Sequence, residues 1–146
     1  MDQESIVYGI IKDIAMPPEI DIMQRRMVNS MCLLDLPQTF DSACPFLCGD
    51  MFTLPGMYAM NDAYHTQVIH FGASYSTVEY EWEQWMQKFE ELLKQMYWVS
   101  ATVHLETELN GKHTFNWEPT GRGYHAPNSG ELRVQCEWER EGAFLK

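Results

Sequence analysis

The pattern of apolar and polar positions predicts a strand and then a helix near the start of the chain. Residues 5–12 are largely β-branched and apolar, which is typical of a strand. The proline pair at 17–18 is tolerated where a helix begins. Apolar residues then recur at helical spacing, and Arg25, Arg26 and Asn29 lie off the face that they form. That apolar face consists of Ile20, Met23, Met27, Met31 and Leu34.

Residues 35–65 are harder to assign, because prolines and glycines interrupt them repeatedly. The first helix should end before Pro37. The stretch is nevertheless rich in apolar residues, and a long structureless loop is uncommon in a domain of this size. We therefore expect short helical turns that pack over the core.

A second strand, 65–75, leads into the clearest helical pattern in the chain. Ser76 and Glu79 have the spacing of a capping box. Apolar side chains then fall within about 120° of arc, which predicts a helix that packs against the core. These core-facing residues are Val78, Trp82, Trp85, Met86, Phe89, Leu92, Leu93 and Met96. Tyr80 lies on the opposite, polar face with Glu83, Gln87, Glu91 and Lys94.

The segment 97–109 alternates between apolar and polar residues, which predicts a strand with one apolar face. Its other face carries His104, Glu106 and Glu108 beside small hydroxyl residues. Glu106 and Glu108 could form an acid/base pair, but such a pair needs a pocket that separates the two pKa values. We interpret this face as a solvated sheet face or a contact surface.

Asn110-Gly111 marks a hairpin. A two-residue loop would set Leu105 opposite Asn116, and a half-buried sheet resists pairing an apolar with a polar residue on one face. We therefore predict a three-residue loop, 109–111, which pairs Leu105 with Phe115. Gly111 would then occupy the left-handed bulge position. In this register Val103 pairs with Trp117, and Glu108 lies opposite Lys112.

A glycine- and proline-rich loop, 118–130, precedes a final alternating strand at 131–138. The order is strand, helix, irregular segment, strand, helix and three strands. That order predicts an α+β fold, an antiparallel β-sheet with two main helices packed on one face. We expect residues 1–146 to form a single domain.

Charge narrows the classes of partner. The chain has 146 residues, with 21 Asp and Glu against 10 Lys and Arg and a net charge of −11. Binding to nucleic acid or to an acidic membrane surface is disfavoured, because both need basic surfaces. A basic protein partner is favoured electrostatically. The acidic N-terminus and the lack of a run of ~18 apolar residues favour a cytoplasmic protein.

Several candidate chemistries are present only as fragments. Cys44 and Cys48 lack a second ligand pair at zinc spacing, although His65 and His70 are available. Any cysteine can be matched with a histidine, and no local signature supports a catalytic pair. The segment 121–123, Gly-Arg-Gly, lacks the helix start of a phosphate loop. We predict no catalytic residue, no metal and no cofactor, and hence a protein that is not an enzyme.

Tyr80 is the most informative residue in this sequence. An exposed tyrosine ringed by carboxylates has the anatomy of an interface anchor with a polar rim. The alternatives are that residues 35–65 cover it, or that it is a lone exposed aromatic residue.

Residues 79–85, Glu-Tyr-Glu-Trp-Glu-Gln-Trp, with 97–100, Tyr-Trp-Val-Ser, and 103–108, Val-His-Leu-Glu-Thr-Glu, carry a family resemblance. They resemble immunity proteins of bacterial polymorphic-toxin systems, including type VI secretion and Rhs-type toxins. The resemblance covers about residues 65–140 and carries over no site residues. It implies binding to a cognate toxin domain in the cytoplasm of the producing cell and occlusion of its active site. Candidate contacts are Tyr80, Glu83, Gln87, Glu91, His104, Glu106 and Glu108.

Other functions remain open. The many aromatic residues could line a pocket, which would make the chain a small-molecule-binding or enzymatic α+β domain. An adaptor or chaperone-like role in secretion would involve an unfolded or targeting segment rather than an active site. The chain could also be a subunit that oligomerises.

Overall fold

The computed structural model describes residues 4–13, 19–36, 47–53, 66–108, 110–119, 123–128 and 132–139. The strands are β1 (Glu4–Asp13), β2 (Gln67–Ser76), β3 (Ser100–Thr107), β4 (Gly111–Pro119) and β5 (Leu132–Glu139), and the helices are α1 (Glu19–Leu34) and α2 (Trp82–Leu93). Short 3-10 turns form at Gly49–Met51 and Val78–Glu81. The sequence-based order of elements is therefore confirmed.

The five strands form one antiparallel sheet in the order β2-β1-β3-β4-β5. The last three strands follow each other as a meander. β1 lies between β2 and β3, so it pairs with two strands that come much later in the chain. The predicted α+β class is confirmed.

Alternation along the strands gives the sheet one buried face. Val7, Ile11, Val103 and Trp117 point to that face and are buried. The apolar stripe of α2 covers this face. The centroid of the Phe89 ring lies 5.3 Å from that of Phe71 and 5.0 Å from that of Trp117. The helix's predicted core stripe is confirmed: Trp85, Phe89, Leu92, Leu93 and Met96 are buried, and Trp82 and Met86 are partly buried.

α1 packs on the same face of the sheet but turns its polar side inward. Arg25, Arg26 and Asn29 are buried, and Leu33 is buried beside them. The apolar stripe that the sequence indicates points outward: Met23, Met27, Met31 and Leu34 are all exposed. The side chain of Ile20 lies outside the described residues.

Polar residues at the ends of β1 and β2 explain why α1 turns its polar side inward. Asp13 and Gln67 are cross-strand partners, and both point to the helix side of the sheet. Arg25 donates to the Asp13 carboxylate through Nε and Nη2, and the Nε–Oδ2 distance is 3.0 Å. Asn29 donates to Gln67 Oε1 at 3.1 Å. Buried polar groups need hydrogen-bonding partners, and the polar side of α1 supplies them to the Asp13 carboxylate and to Gln67 Oε1.

The start of α2 differs from the predicted capping box. Val78–Glu81 forms a 3-10 turn after Thr77, whose φ of 54° is left-handed, and no cap side chain bonds the turn. Ser5 of β1 takes the role of the cap. Its Oγ accepts a hydrogen bond from the Val78 N–H at 3.1 Å and donates one to the Glu79 carboxylate. A long-range partner therefore replaces the local cap.

The β3–β4 hairpin confirms a left-handed Gly111, with φ of 77°, but not the predicted pairing. Thr107 pairs with Gly111, so Leu105 lies opposite His113, not Phe115. This slip of two residues keeps every side chain on its face, so alternation cannot detect it. In the observed register Trp117 lies opposite Ala101, and Phe115 lies opposite Val103. The large rings thus face smaller partners, and Lys112 pairs with Glu106 rather than Glu108.

The described part of the glycine- and proline-rich loop, 123–128, is tied to the helix layer. His125 and Trp98 exchange two backbone hydrogen bonds, of 2.7 and 3.1 Å. The His125 ring stacks on Trp98, and its Nδ1 lies 2.9 Å from Met96 O. This fixes Trp98, whose place the sequence pattern did not predict.

The predictions for 35–65 are tested only in part. Residues 47–53 contain the 3-10 turn Gly49–Met51, and Phe52 packs on Phe71 with ring centroids 5.1 Å apart. A short turn over the core is therefore confirmed there. Residues 37–46 and 54–65, with Cys44 and His65, lie outside the described residues, as do Leu109 and 120–122.

Candidate functional site

The first predicted contact surface lies on the outer side of α2. Glu83, Gln87 and Glu91 are exposed there, and Tyr80 stands just before the helix with 75% of its surface accessible. We call these four residues the acidic helix face. Lys94 approaches Glu91 at 3.4 Å, but both side chains are largely exposed, so this pair neutralises the face only weakly.

Tyr80 is held by its backbone, not by its ring. Its N–H donates to Thr77 O at 3.2 Å within the 3-10 turn. The adjacent residues anchor that turn, because Val78 is buried and Glu79 accepts the Ser5 hydroxyl. A fixed backbone with an exposed aromatic ring offers contact area at a low cost in conformational entropy.

The second predicted surface lies on the face of the sheet opposite the helices. His104 and Glu106 both point there from β3, and Tyr8 of β1 joins them. The Tyr8 hydroxyl donates a hydrogen bond to Glu106 Oε2, and the centroid of the Tyr8 ring lies 5.0 Å from that of the His104 ring. His104 Nδ1 lies 2.9 Å from Thr114 Oγ1. We call these four residues the sheet-face cluster. Thr102 donates to Asn116 beside it at 2.8 Å.

Glu108 does not belong to that surface. It lies in the turn after β3, beyond Thr107, and it is exposed there. The prediction that it shares a strand face with His104 and Glu106 is wrong, because the strand ends where the Thr107 hydroxyl accepts the Asn110 N–H at 2.8 Å. That local bond closes the loop one residue earlier than alternation indicates.

The structure also separates the predicted contacts into two groups. The acidic helix face lies on the outer, solvent-exposed side of the helix layer. The sheet-face cluster lies on the side of the sheet that the helices do not cover. A compact partner can therefore cover one group or the other, not both.

Sequence reasoning missed a third surface on α1. Met23, Met27, Met31 and Leu34 are 43–62% exposed, and we call them the methionine ridge. A signal was present in the sequence, because alternation places Asp13 and Gln67 on the inward face of their strands. Polar residues at inward positions require polar partners from whatever packs above them.

Buried contacts set the orientation of α1. The Arg25 guanidinium lies 4.9 Å from the ring centroids of both Tyr97 and Tyr124. Asn29 donates to Tyr97 O at 2.9 Å and accepts the Tyr97 N–H at 2.8 Å. These contacts join α1 to the connection between α2 and β3 and hold the ridge outward.

Cys32 lies at the boundary between the buried side and the ridge. Its Sγ donates to Gln95 O at 3.2 Å. Burial raises the pKa of the Cys32 thiol, and the nearby Asp35 carboxylate raises it further. Reactive cysteines have the opposite shift, so Cys32 is not an activated nucleophile.

Comparisons with protein-family models, with curated proteins and with solved structures find no match for this chain. Within the described ranges, no helix is both long and apolar enough to cross a membrane. In the same ranges, no three His, Cys, Asp or Glu side chains gather as a metal-binding group.

Proposed function

We propose that this chain is an immunity protein that binds a cognate basic toxin domain and occludes the active site of that toxin. The observation that carries the proposal is Tyr80, an exposed ring on a fixed turn beside exposed carboxylates. Aromatic anchors surrounded by polar residues contribute much of the binding energy at protein interfaces. The acidic helix face is therefore the proposed contact.

Charge supports the choice of partner. A net charge of −11 attracts a basic domain over a distance and raises its association rate. Glu83 and Glu91 are exposed, so a partner can reach their carboxylates without moving the core. For a toxin that acts on nucleic acid or a nucleotide, such carboxylates would imitate phosphates in its basic cleft.

The test begins with affinity capture from a lysate of the source organism, with mass spectrometry of the retained proteins. The captured protein is then expressed in bacteria with and without this chain, and growth is measured. We expect the captured protein to stop growth and the chain to restore it. Retention of a partner whose expression does not affect growth would contradict neutralisation and leave a binding role of another kind.

Matched variants locate the contact. Tyr80→Ala should weaken binding by about 2 kcal/mol, the size of an interface hot spot. Glu83→Lys and Glu118→Lys make the same change of charge at two exposed positions. Glu83 lies on the helix side of the sheet, and Glu118 lies on the opposite side. If only the overall field matters, the two variants lower the association rate equally. If the acidic helix face is the contact, Glu83→Lys also raises the dissociation rate.

The sheet-face cluster favours a second candidate function, the binding of a small molecule. It brings a histidine, a carboxylate and a tyrosine hydroxyl together on one face. His104→Gln belongs in the same binding experiment for this reason. If His104→Gln abolishes binding while Tyr80→Ala leaves it intact, the functional surface is the sheet-face cluster.

A further inference from the structure

We infer that Ser5, a buried serine of β1, is a positioning residue that fixes the direction in which Tyr80 is presented. The 3-10 turn that carries Tyr80 is tied to β1 through the Ser5 hydroxyl. The importance of this direction for binding rests on the proposed function, in which Tyr80 is the interface anchor. The positioning itself is a property of this chain alone and can be tested without a partner.

Ser5 holds groups that a local cap of α2 would use. In a capping box, the serine hydroxyl accepts an N–H from the second or third helical residue, and the glutamate side chain returns to the N–H of the serine. With Ser76 as the cap, these groups are the N–H of Val78 or Glu79 and the Glu79 carboxylate. In the structure, the Ser5 hydroxyl accepts the Val78 N–H at 3.1 Å and donates to the Glu79 carboxylate. Ser5 and Ser76 therefore compete for the start of α2.

The backbone of Thr77 reflects the outcome of this competition. Thr77 has φ of 54° and ψ of 45°, a left-handed conformation that is unfavourable for a β-branched residue. A helix capped by Ser76 would need Thr77 in the right-handed helical region instead. A strained residue persists only where its surroundings hold it in place, and the two residues that follow Thr77 are the ones that Ser5 contacts. The cap by Ser5 thus stabilises the strained turn.

Tyr80 lies between two interruptions of the helical backbone. Thr77 precedes it, and Glu81 follows it with φ of −124° and ψ of 27°, outside the helical region. A helix capped by Ser76 would run through both positions and place Tyr80 one turn before Glu83. The observed 3-10 turn advances by about 120° per residue rather than about 100°, so the Tyr80 side chain leaves the backbone in another direction. The choice of cap therefore sets the direction of the ring.

The central strand makes Ser5 a rigid anchor for this turn. Ser5 is fully buried, and β1 pairs on both sides of it, with Tyr75 and with Thr107. Ser76 is exposed at the end of β2, where water competes for its hydroxyl. Ser76 could cap without leaving its strand, because a cap residue has an extended backbone. We therefore expect the two caps to differ mainly in the backbone of residues 77–81.

A double-mutant cycle on stability tests the competition. Ser76→Ala should leave the urea midpoint nearly unchanged, because no cap side chain bonds the observed turn. Ser5→Ala should lower the midpoint moderately, because Ser76 then takes over the cap. The double variant should lower it by clearly more than the two single variants together. If the double variant loses no more than their sum, Ser76 offers no alternative cap and the inference is overturned.

Backbone NMR shifts separate repositioning from a simple loss of stability. In Ser5→Ala, the ¹³C shifts of residues 77–81 should move toward helical values, while those of the strands stay in place. Asparagine tolerates the left-handed conformation, so adding Thr77→Asn to Ser5→Ala should return these shifts toward the wild-type values. Thr77→Val is the matched control, because it stays β-branched and should not restore them. Unchanged shifts in Ser5→Ala would overturn the inference.

The protein captured on the wild-type chain links this positioning to the proposed function. Ser5→Ala should weaken its binding several-fold, although Ser5 is buried and cannot touch a partner. Adding Thr77→Asn should restore the binding. If the shifts respond as expected while binding stays unchanged, Ser5 still positions Tyr80, but Tyr80 is not the anchor and the proposed contact is wrong. If binding weakens without any change in the shifts, Ser5 acts through stability and the positioning role is wrong.

Discussion

α1 and α2 pack side by side on one face of the sheet, yet they bury opposite kinds of side chain. α2 turns Phe89 and its other apolar residues inward and exposes its carboxylates. α1 turns Arg25 and Asn29 inward and exposes Met27. An amphipathic pattern thus predicts that a helix forms, but the surface beneath the helix decides which side is buried.

The difference follows from what each helix meets on the sheet. α2 lies over aromatic rings, among them Phe71, Phe115 and Trp117. α1 lies over the Asp13–Gln67 pair at the strand ends. The polar strand ends select the polar side of α1, and its apolar side faces outward.

The largest contrast is expected between Phe89→Ala on α2 and Met27→Ala on α1. Phe89 is fully buried, so its truncation should lower the free energy of unfolding by about 4 kcal/mol. Met27→Ala should change it by less than about 0.5 kcal/mol, because the side chain is exposed. Urea denaturation of the dilute proteins measures both. A cost of several kcal/mol for Met27→Ala would mean that α1 buries its apolar side.

Arg25→Ala should be nearly as destabilising, by about 3 kcal/mol, because it removes the guanidinium from the buried Asp13 carboxylate. Gln24→Ala on the exposed side of the same helix is the control. The double variant Arg25→Met/Asp13→Leu should recover part of the loss, because it also removes the buried charge. If Arg25→Ala costs no more than Gln24→Ala, the polar side of α1 is not buried.

The smallest effect concerns the boundary between the two sides of α1. Since burial and Asp35 raise the pKa of the Cys32 thiol, Cys32 should be alkylated more slowly than a free cysteine at pH 8. Asp35→Asn should lower this pKa and speed alkylation by a few-fold at most. Peptide mass spectrometry over a pH series measures the rate at Cys32 itself.

The same shift has a consequence for stability. Because the folded chain holds the Cys32 proton more tightly, the associated stability is present at neutral pH and is lost as pH rises through the raised pKa. Alkylation of Cys32 at the rate of a free cysteine would contradict its packing against Gln95 and hence the observed orientation of α1.

Local patterns predicted the element types well, because alternation and helical spacing are recorded in each segment. They failed where a residue far away in the chain determines the local structure or the orientation of an element. Ser5 replaces the local cap of α2, and the Asp13–Gln67 pair orients α1. The predicted register of the β3–β4 hairpin is wrong by two residues, because both registers satisfy the same alternation. The pairing of the large Trp117 with the small Ala101 depends on side-chain packing, which alternation does not record.

The candidate site was predictable to a similar degree. The exposure of Tyr80 follows from its position off the apolar stripe of α2, and it is confirmed. The pairing of Tyr8 with Glu106 was not visible in the sequence, since it depends on the register between β1 and β3. That register joins residues far apart in the chain, so no short segment contains the information.

The central position of β1 has a consequence for synthesis of the chain. β1 precedes both of its partners, so it leaves the ribosome well before β2 and β3 can pair with it. Its apolar residues lie on both faces, Ile6 and Ile10 on one and Val7 and Ile11 on the other. An unpaired strand of this composition is prone to aggregation. Glu4, Lys12 and Asp13 place charges at its ends, and we expect these charges to limit aggregation of the nascent chain, as gatekeeper residues do.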